Sequence, residues 1–224
     1  MSMARQAPRS EIKLRERAYD VFTEQLLRSE IKPGQFVTQR ELVTLTGQPL
    51  GAIRELIPRL EAEGLIVTVP QRGLQILPLD ITLIRNAFQF RLILEREAIA
   101  SFTHTASDAI ITRIEAAHQS IVSSAGSGLT EKVVAEAQQV DRQFHETVID
   151  DLNNDIISKA YRVNWIKVRL IRQNETSLDE DLVIPVMREH LAIIAAMKRR
   201  DAQASVELAV AHIMNARARA LRLE

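Results

Sequence analysis

Four side chains in the second half of the sequence have the types and the spacing to bind a metal ion together. Asp141 and His145 are four residues apart in a predicted helix, so they project from the same face of that helix. His190 and His212 lie on the apolar faces of two further predicted helices. Burying polar side chains is unfavourable unless they are paired, and a divalent cation would pair all four at once. Three nitrogen ligands and one oxygen ligand suit Zn²⁺, Ni²⁺, Mn²⁺ or Fe²⁺, and the sequence does not choose among these metals.

The same set of ligands would also fit a hydrolytic enzyme. Three histidines and an aspartate could leave an open coordination position for an activated water. A general base would then be needed near the metal, and the candidates are Glu146, Glu189 and Glu207. Their helical positions predict that they point away from the ligand face, so a metalloenzyme is the alternative hypothesis. The other two histidines, His104 and His118, have no partner pattern and are expected to be ordinary core or surface residues.

The elements that carry these residues are predicted from the uneven distribution of glycine and proline. Six of the seven prolines and five of the seven glycines fall within residues 1–78, which indicates short elements joined by tight turns. From residue 79 onward the apolar residues recur every three or four positions, which is typical of helices. The fold class is therefore mainly α, with one domain over residues 1–78 and an antiparallel helical bundle over 79–224. The bundle helices are predicted at residues 81–104, 108–124, 130–151, 154–174, 183–199 and 202–221.

Residues 1–78 predict a helix-turn-helix followed by a β-hairpin. Thr38 and Glu41 form a capping-box pattern that opens a short helix, and Gly47 ends that helix. Two β-prone runs flank a turn that contains proline and glycine, as in a hairpin. Such a hairpin directly after a helix-turn-helix is a wing. The predicted elements are a helix at about 12–27, the short helix through Leu45, a helix at about 49–63 and strands at 65–69 and 74–77.

A winged helix-turn-helix places its second helix in the major groove of DNA, and this geometry selects five candidate DNA-binding residues. Arg40 leads the first helix of the motif, and Gln48 and Arg54 lie at the start and on the exposed side of the second. Arg54 could bind guanine in a bidentate fashion, which is worth roughly 1–3 kcal/mol of discrimination. Arg72 and Gly73 lie at the tip of the wing, where glycine would let the backbone approach a phosphate closely.

This N-terminal third resembles the DNA-binding domain of GntR-superfamily transcriptional regulators. The resemblance rests on IKPG at 31–34, QREL at 39–42, IREL at 53–56, RLEAEGLI at 59–66 and PQRG at 70–73. It implies that Arg40, Arg54, Arg72 and Gly73 contact DNA, as the matching residues do in the family. The recognition helix departs from the family, because Pro-Leu-Gly-Ala at 49–52 replaces the usual Ser-Arg-Thr-Pro and Leu50 replaces a base-reading arginine. Pro58 falls inside that helix and is expected to kink it.

The rest of the chain resembles the all-helical effector domain called FCD, in the FadR-like branch of the same superfamily. The matching segments are RLILEREAIA at 91–100, DRQFHETVIDDLNN at 141–154, REHLAIIAAM at 188–197 and AVAHIMNA at 209–216. In many members an aspartate and three histidines bind a divalent metal, and small carboxylates bind beside it or onto it. The resemblance implies this role for the four ligand residues named above, with zinc favoured. Arg91 matches an arginine that faces the effector pocket in several relatives, and an ion pair with Glu95 is an equal alternative.

The composition limits the function further. The 29 basic and 29 acidic residues give zero net charge, which argues against a nonspecific polyanion binder. One Trp, two Tyr and six Phe are too few for a platform that stacks single-stranded nucleic acid. The absence of cysteine excludes disulfides and thiolate zinc sites. No apolar run approaches the roughly 20 residues that cross a membrane, and no secretory signal is evident, so we expect a cytoplasmic protein without a membrane partner.

These observations predict a ligand-responsive bacterial transcriptional regulator rather than an enzyme. We expect a repressor that binds palindromic operator DNA as a homodimer, because a symmetric dimer offers two recognition helices to two half-sites. A small carboxylate or sugar-acid effector, bound at or near the metal, would control it. The alternative is the metalloenzyme described above, and a third hypothesis is a scaffold in which the metal is purely structural.

Overall fold

The structure, a computed structural model, describes residues 9–173 and 180–221. Its contacts divide the chain into two compact units, Met1–Asp80 and Ile81–Glu224. The sequence predicts that the N-terminal domain ends at residue 78, and the observed boundary lies two residues later. The mainly α fold class is confirmed, since the described residues form nine helices and a sheet of three short strands.

The N-terminal unit combines three helices with this sheet. The strand order is β1-β3-β2, and both pairings are antiparallel. The strand β1 was not predicted, because two residues are too short for any periodic signal. The elements are α1 (Arg9–Leu27), β1 (Phe36–Val37), α2 (Gln39–Thr46), α3 (Leu50–Ala62), β2 (Ile66–Val69) and β3 (Gly73–Ile76).

Both ends of α2 are formed by the capping residues that the sequence predicts. Thr38 accepts a hydrogen bond from the backbone of Glu41, whose side chain accepts one from the backbone of Thr38. Gly47 ends α2 in the left-handed conformation at φ 64°, which glycine adopts without strain. The buried face of α3 packs on α1 and α2, and α3 continues as one helix through Pro58 to Ala62. These two helices and their tight turn form the predicted helix-turn-helix.

The strands β2 and β3 form the wing, and Gly73 is fixed there by the backbone of β1. Gly73 has φ 96°, and a Cβ atom at this position would lie 2.9 Å from the carbonyl oxygen of Val37. A side chain is therefore excluded both by the conformation and by the neighbouring strand. The close packing of β1 on β3 therefore explains why residue 73 is glycine. A contact between the wing and DNA is not needed to explain it.

The second unit is a bundle of six helices in which α4 is central. This helix packs against α6, α7, α8 and α9. Each described terminus lies within three residues of its predicted position, although the predicted end of the fourth bundle helix at residue 174 lies outside the described residues. The helices are α4 (Ile81–Thr105), α5 (Asp108–Gly126), α6 (Glu131–Asp150), α7 (Asp155–Gln173), α8 (Glu180–Lys198) and α9 (Ala202–Leu221).

Aromatic and aliphatic side chains fill the centre of this bundle. Phe102, Phe144, Tyr161 and Trp165 from three helices belong to one buried cluster with Met197 of α8. None of the helices within residues 9–173 and 180–221 has both the length and the apolar character that a membrane crossing requires. The bundle is thus held together by its own apolar core, into which the polar residues described below are set.

The structural role of Gly73 gives a first prediction. The substitution Gly73→Ala should lower the free energy of unfolding of the N-terminal unit by more than about 1 kcal/mol, because it adds a clash to an unfavourable φ. The control is Gly51→Ala in α3, where nothing lies within 4 Å of the added Cβ atom. This control should leave stability unchanged or raise it, since alanine favours helix. Urea denaturation measures both, and equal stability of the two variants would contradict the prediction.

Candidate functional site

The four predicted metal ligands converge inside the helical unit. Asp141, His145, His190 and His212 each offer one nitrogen or oxygen atom, and these atoms all lie within 4.8 Å of one another. The residues come from α6, α8 and α9, and their exposed fractions are only 0–3%. The spacing of four that places Asp141 and His145 on one face of α6 also turns that face inward. This buried group of three imidazoles and one carboxylate could hold a metal ion.

Two of the imidazoles are oriented by carboxylates on their outer side. Nδ1 of His145 lies 2.9 Å from Oε2 of Glu95, and Nδ1 of His212 lies 2.6 Å from Oε2 of Glu189. An ionised carboxylate only accepts hydrogen bonds, so each Nδ1 carries the proton and donates it. Each Nε2 then keeps its lone pair and faces the centre of the group. Carboxylates in this position orient metal-binding histidines and make them more basic.

One pair of inner atoms has the spacing expected of two ligands around one ion. Nε2 of His190 lies 3.3 Å from Nε2 of His212 and 3.8 Å from Oδ1 of Asp141. Zinc binds histidine nitrogen at about 2.0–2.1 Å in tetrahedral geometry, which places two such nitrogens about 3.3–3.4 Å apart. The distance between the two imidazoles is therefore the distance that a shared tetrahedral ion requires.

Arg91 reaches the same centre from α4. Its Nη2 lies 2.7 Å from Nε2 of His145 and 3.4 Å from Nε2 of His212, while its Nε donates a hydrogen bond to Oε1 of Glu95. The hydroxyl of Tyr161 donates a second hydrogen bond, of 2.7 Å, to the same carboxylate oxygen. The ion pair with Glu95, one of the two alternatives for Arg91, is present, and the same guanidinium also faces the histidines. Its role toward an effector stays a prediction.

Burial and neighbouring charges set the protonation of this site. Burial lowers the pKa of His212 to about 4 and, with the positive charge of nearby groups, lowers the pKa of His190 well below its ordinary value. Burial alone would raise the pKa of Glu95, but the charge of Arg91 and the hydrogen bond from His145 lower it to below its usual range. At neutral pH His190 and His212 are therefore uncharged, which is the form that binds metals, and Glu95 is ionised.

Two residues that the sequence analysis set aside belong to this site. The expectation that Glu189 points away was wrong, because its side chain bridges from α8 to His212 on α9 and also accepts a hydrogen bond from Asn215. It is therefore held as a partner of His212. His118 is buried and its Nε2 lies 3.1 Å from Nδ1 of His190. A signal for His118 was present, since Ile111, Ile114 and Ile121 share its face of α5 at helical spacing.

The other two glutamates lie as expected from their helical positions. Glu146 accepts a hydrogen bond of 2.9 Å from Arg142 one turn earlier on α6. Glu207 is exposed on α9 and accepts a hydrogen bond from Gln203. Neither side chain has a contact with the four candidate ligands among the interactions of the described residues. A free carboxylate for general base catalysis is therefore not provided by these residues.

Three of the predicted DNA-binding residues are exposed on the N-terminal unit. Arg40 lies in the first turn of α2, Arg54 lies on α3 with its Nε 3.4 Å from Oε1 of Gln39, and Arg72 in the wing stacks its guanidinium 4.0 Å over the ring of Phe36. Gln48 differs, because it is only 8% exposed and its side-chain amide donates a hydrogen bond to the carbonyl oxygen of Thr46. Gln48 was expected to contact DNA from the start of the second helix, whereas it precedes α3 and its side chain is buried against the turn.

Comparison with known proteins agrees with both units. The family model described as "FCD domain" matches residues 86–215, more than half of the chain. The HTH-type transcriptional regulator YdhC of Bacillus subtilis is 21% identical over 194 residues, which are 87% of this chain and 85% of YdhC.

Solved structures of regulators share the fold. The structure of McbR/YncC from E. coli superposes with a TM-score of 0.75 at 14% identity and covers 93% of this chain and 97% of its own. A GntR transcriptional regulator of Rhodococcus sp. RHA1 superposes with a TM-score of 0.73 at 15% identity and covers 94% and 98%. The chain therefore belongs to the FCD domain family and is a GntR-type transcriptional regulator, with a winged helix-turn-helix ahead of its helical domain.

Proposed function

We propose that this regulator is a metal-containing repressor of the cytoplasm that binds palindromic operator DNA as a homodimer and is released by a small carboxylate. The observation that carries the proposal is the convergence of four ligand atoms within 4.8 Å, with two imidazole nitrogens 3.3 Å apart. Asp141, His145, His190 and His212 would hold the ion, and zinc suits three nitrogens and one oxygen. The ion would supply a Lewis acid to which a carboxylate oxygen can bind.

The charge of the buried site favours an anionic effector. Arg91, Glu95 and Asp141 are each about 1% exposed, so one positive charge lies among two negative charges away from water. A divalent cation added to these groups would leave one net positive charge inside the bundle. Uncompensated buried charge costs several kcal/mol. A carboxylate of single charge would remove this imbalance, and the guanidinium of Arg91 offers it a bidentate hydrogen-bond partner.

The position of Arg91 suggests how the effector could act on DNA binding. Arg91 lies on α4, which begins at Ile81, and the wing strand β3 ends at Ile76. A carboxylate that draws Arg91 away from His145 would change the packing of the helix that follows the DNA-binding domain directly in sequence. Regulation requires that the effector bind the two arrangements with different affinity. Release from DNA is the direction that we propose.

The DNA-binding surface is assigned to the exposed cations of the N-terminal unit. Arg54 on α3 would contact base edges, while Arg40 and Arg72 would fix the phosphate backbone. The buried amide of Gln48 leaves it out of this surface, and the packing of β1 against Gly73 accounts for that glycine. A homodimer would present two such surfaces to a palindromic site.

The DNA-binding role of Arg54 is tested by the variant Arg54→Ala on a duplex that the wild-type protein selects from random DNA. Loss of a base contact worth about 1–3 kcal/mol should weaken binding about 5- to 150-fold. The control is Arg28→Ala, which removes an equal charge from an exposed residue of the same unit and should leave the affinity within about threefold. Fluorescence anisotropy measures both, and wild-type affinity of Arg54→Ala would refute the assignment.

The metal site is tested by elemental analysis after loading with Zn²⁺ and removal of free ions. The wild-type protein should retain about one ion per chain, and His190→Ala should retain almost none, because a structural zinc site needs its full set of ligands. His104→Ala is the matched control, since His104 is an exposed histidine of the same unit. It should bind the metal as the wild type does. Equal metal content in all three proteins would contradict the site.

The effector class is tested by thermal unfolding with a panel of sugar acids, hydroxy acids and dicarboxylic acids. An acid that binds onto the ion should raise the Tm of the metal-loaded protein and leave the Tm of the metal-free protein unchanged. Neutral sugars of the same size are the control and should have no effect. An acid that stabilises both forms equally would show that the effector does not need the metal.

The buried ion pair gives a prediction about stability. Arg91→Met leaves the charge of Glu95 buried without its cation, which should cost about 3–5 kcal/mol. The double variant Arg91→Met with Glu95→Gln should recover part of this loss, because residue 95 then carries no buried unpaired charge and its amide oxygen can still accept from Tyr161. Urea denaturation measures the free energies of unfolding. If the double variant is no more stable than Arg91→Met, the loss does not come from the unpaired carboxylate.

A further inference from the structure

His118 lies against the candidate metal site from a helix that contributes none of the four ligands. It is 1% exposed on α5, and its ring packs edge-on against Phe144 at a centroid distance of 5.4 Å. Its Nε2 is 3.1 Å from Nδ1 of His190, the imidazole whose Nε2 faces His212. The ligand role proposed for His190 therefore depends on which of these nitrogens carries a proton.

A backbone carbonyl determines the direction of this hydrogen bond. Nδ1 of His118 lies 2.7 Å from the carbonyl oxygen of Ile114, and a carbonyl only accepts, so Nδ1 of His118 carries a proton. A buried imidazole is held in its neutral form, and a neutral imidazole carries only one proton, so the other nitrogen of His118, Nε2, has none. Nε2 of His118 must then accept a proton from Nδ1 of His190. This leaves Nε2 of His190 with a free lone pair directed at the centre of the site.

We propose that His118 is a positioning residue of the metal site, which holds His190 in the tautomer whose Nε2 binds the ion. His118 accepts the hydrogen bond from Nδ1 of His190, as Glu95 accepts one from Nδ1 of His145 and Glu189 accepts one from Nδ1 of His212. The inference rests on the metal site proposed above. Through this contact α5, which packs on α6 and α8, becomes part of the metal centre although it supplies no ligand.

The choice of an imidazole rather than a carboxylate follows from the charge of the interior. Glu189 is half-buried and shares its charge with water, with Asn215 and with Arg219, so it adds little isolated charge to the core. The partner of His190 is enclosed much more completely, in an interior that already holds Glu95 and Asp141. A neutral imidazole accepts the hydrogen bond without adding another buried negative charge.

The test compares two substitutions of His118 in the full-length protein. His118→Gln keeps an oxygen that can accept from His190 and an amide that can donate to Ile114, whereas His118→Leu fills similar space without either group. The affinity for Zn²⁺, measured by competition with a chromophoric chelator, should fall about 10- to 100-fold in His118→Leu. It should stay within about fivefold of wild type in His118→Gln. His104→Leu, at an exposed position, is the control and should bind as the wild type does.

Equal affinity of wild type and a folded His118→Leu variant would overturn this inference alone, whereas a wild-type protein that takes up no Zn²⁺ would overturn the proposed function itself. A His118→Gln variant that binds as weakly as His118→Leu would also overturn the inference, because packing rather than the accepted proton would then matter.

A second measurement decides the matter if His118→Leu does not fold. Long-range ¹H–¹⁵N correlation spectra distinguish histidine tautomers, and the chain has only five histidines to assign. In the wild-type protein without metal, His190 should show a protonated Nδ1 and a bare Nε2. The opposite tautomer, with the proton on Nε2, would overturn the inference.

Discussion

The helical unit depends on one constraint, which is that polar and charged side chains are buried in its core and shielded from solvent. Arg91 lies in the core beside Glu95, and three imidazoles lie within hydrogen-bonding distance of them or of one another. Such groups are tolerated in a protein interior only when their hydrogen bonds and charges are matched. This requirement fixes the mutual placement of α4, α6, α8 and α9 more narrowly than apolar packing alone, because hydrogen bonds have direction and hydrophobic contacts do not.

The two units use their charged residues in opposite ways. In the N-terminal unit Arg40, Arg54 and Arg72 are exposed, so their charges are solvated and available to a polyanion. In the helical unit Arg91 is enclosed and is neutralised by Glu95. The net charge of zero does not reveal this difference, because it sums exposed arginines of the N-terminal unit with an arginine and carboxylates that are buried in the helical unit.

The sequence predicts the helices and the convergence of the four candidate ligands well, and the physical reason is the length of the helices. Six helices of 19 to 25 residues give many repeats of the apolar pattern, and Ser107 and Thr130 cap the starts of α5 and α6. The strand β1 has only two residues, so it depends on its partner β3 rather than on its own pattern. The burial of Gln48 depends likewise on how the turn packs, which local spacing does not specify.

The outer contacts of the candidate site were harder to predict because they join different helices. Glu189 is adjacent to His190 in sequence, and adjacent residues of a helix point about 100° apart, so it was placed away from the site. Its side chain is long enough to reach His212 on the next helix. The face of α5 that carries His118 is recognisably apolar, but the sequence contains no sign that His190 is its neighbour. Helix spacing therefore predicted the four converging residues and missed the side chains that contact them from outside.

The depth of the candidate site has a kinetic consequence. With only 0–3% of these side chains exposed, an ion could enter or leave only when the helices separate transiently. Because His145, His190 and His212 belong to three helices, such an ion would link these helices and would oppose their separation. Exchange would then follow the rate of bundle opening rather than the concentration of free ions. A protein built in this way would retain the metal acquired during folding, and its metal content would then depend on the supply at the time of synthesis.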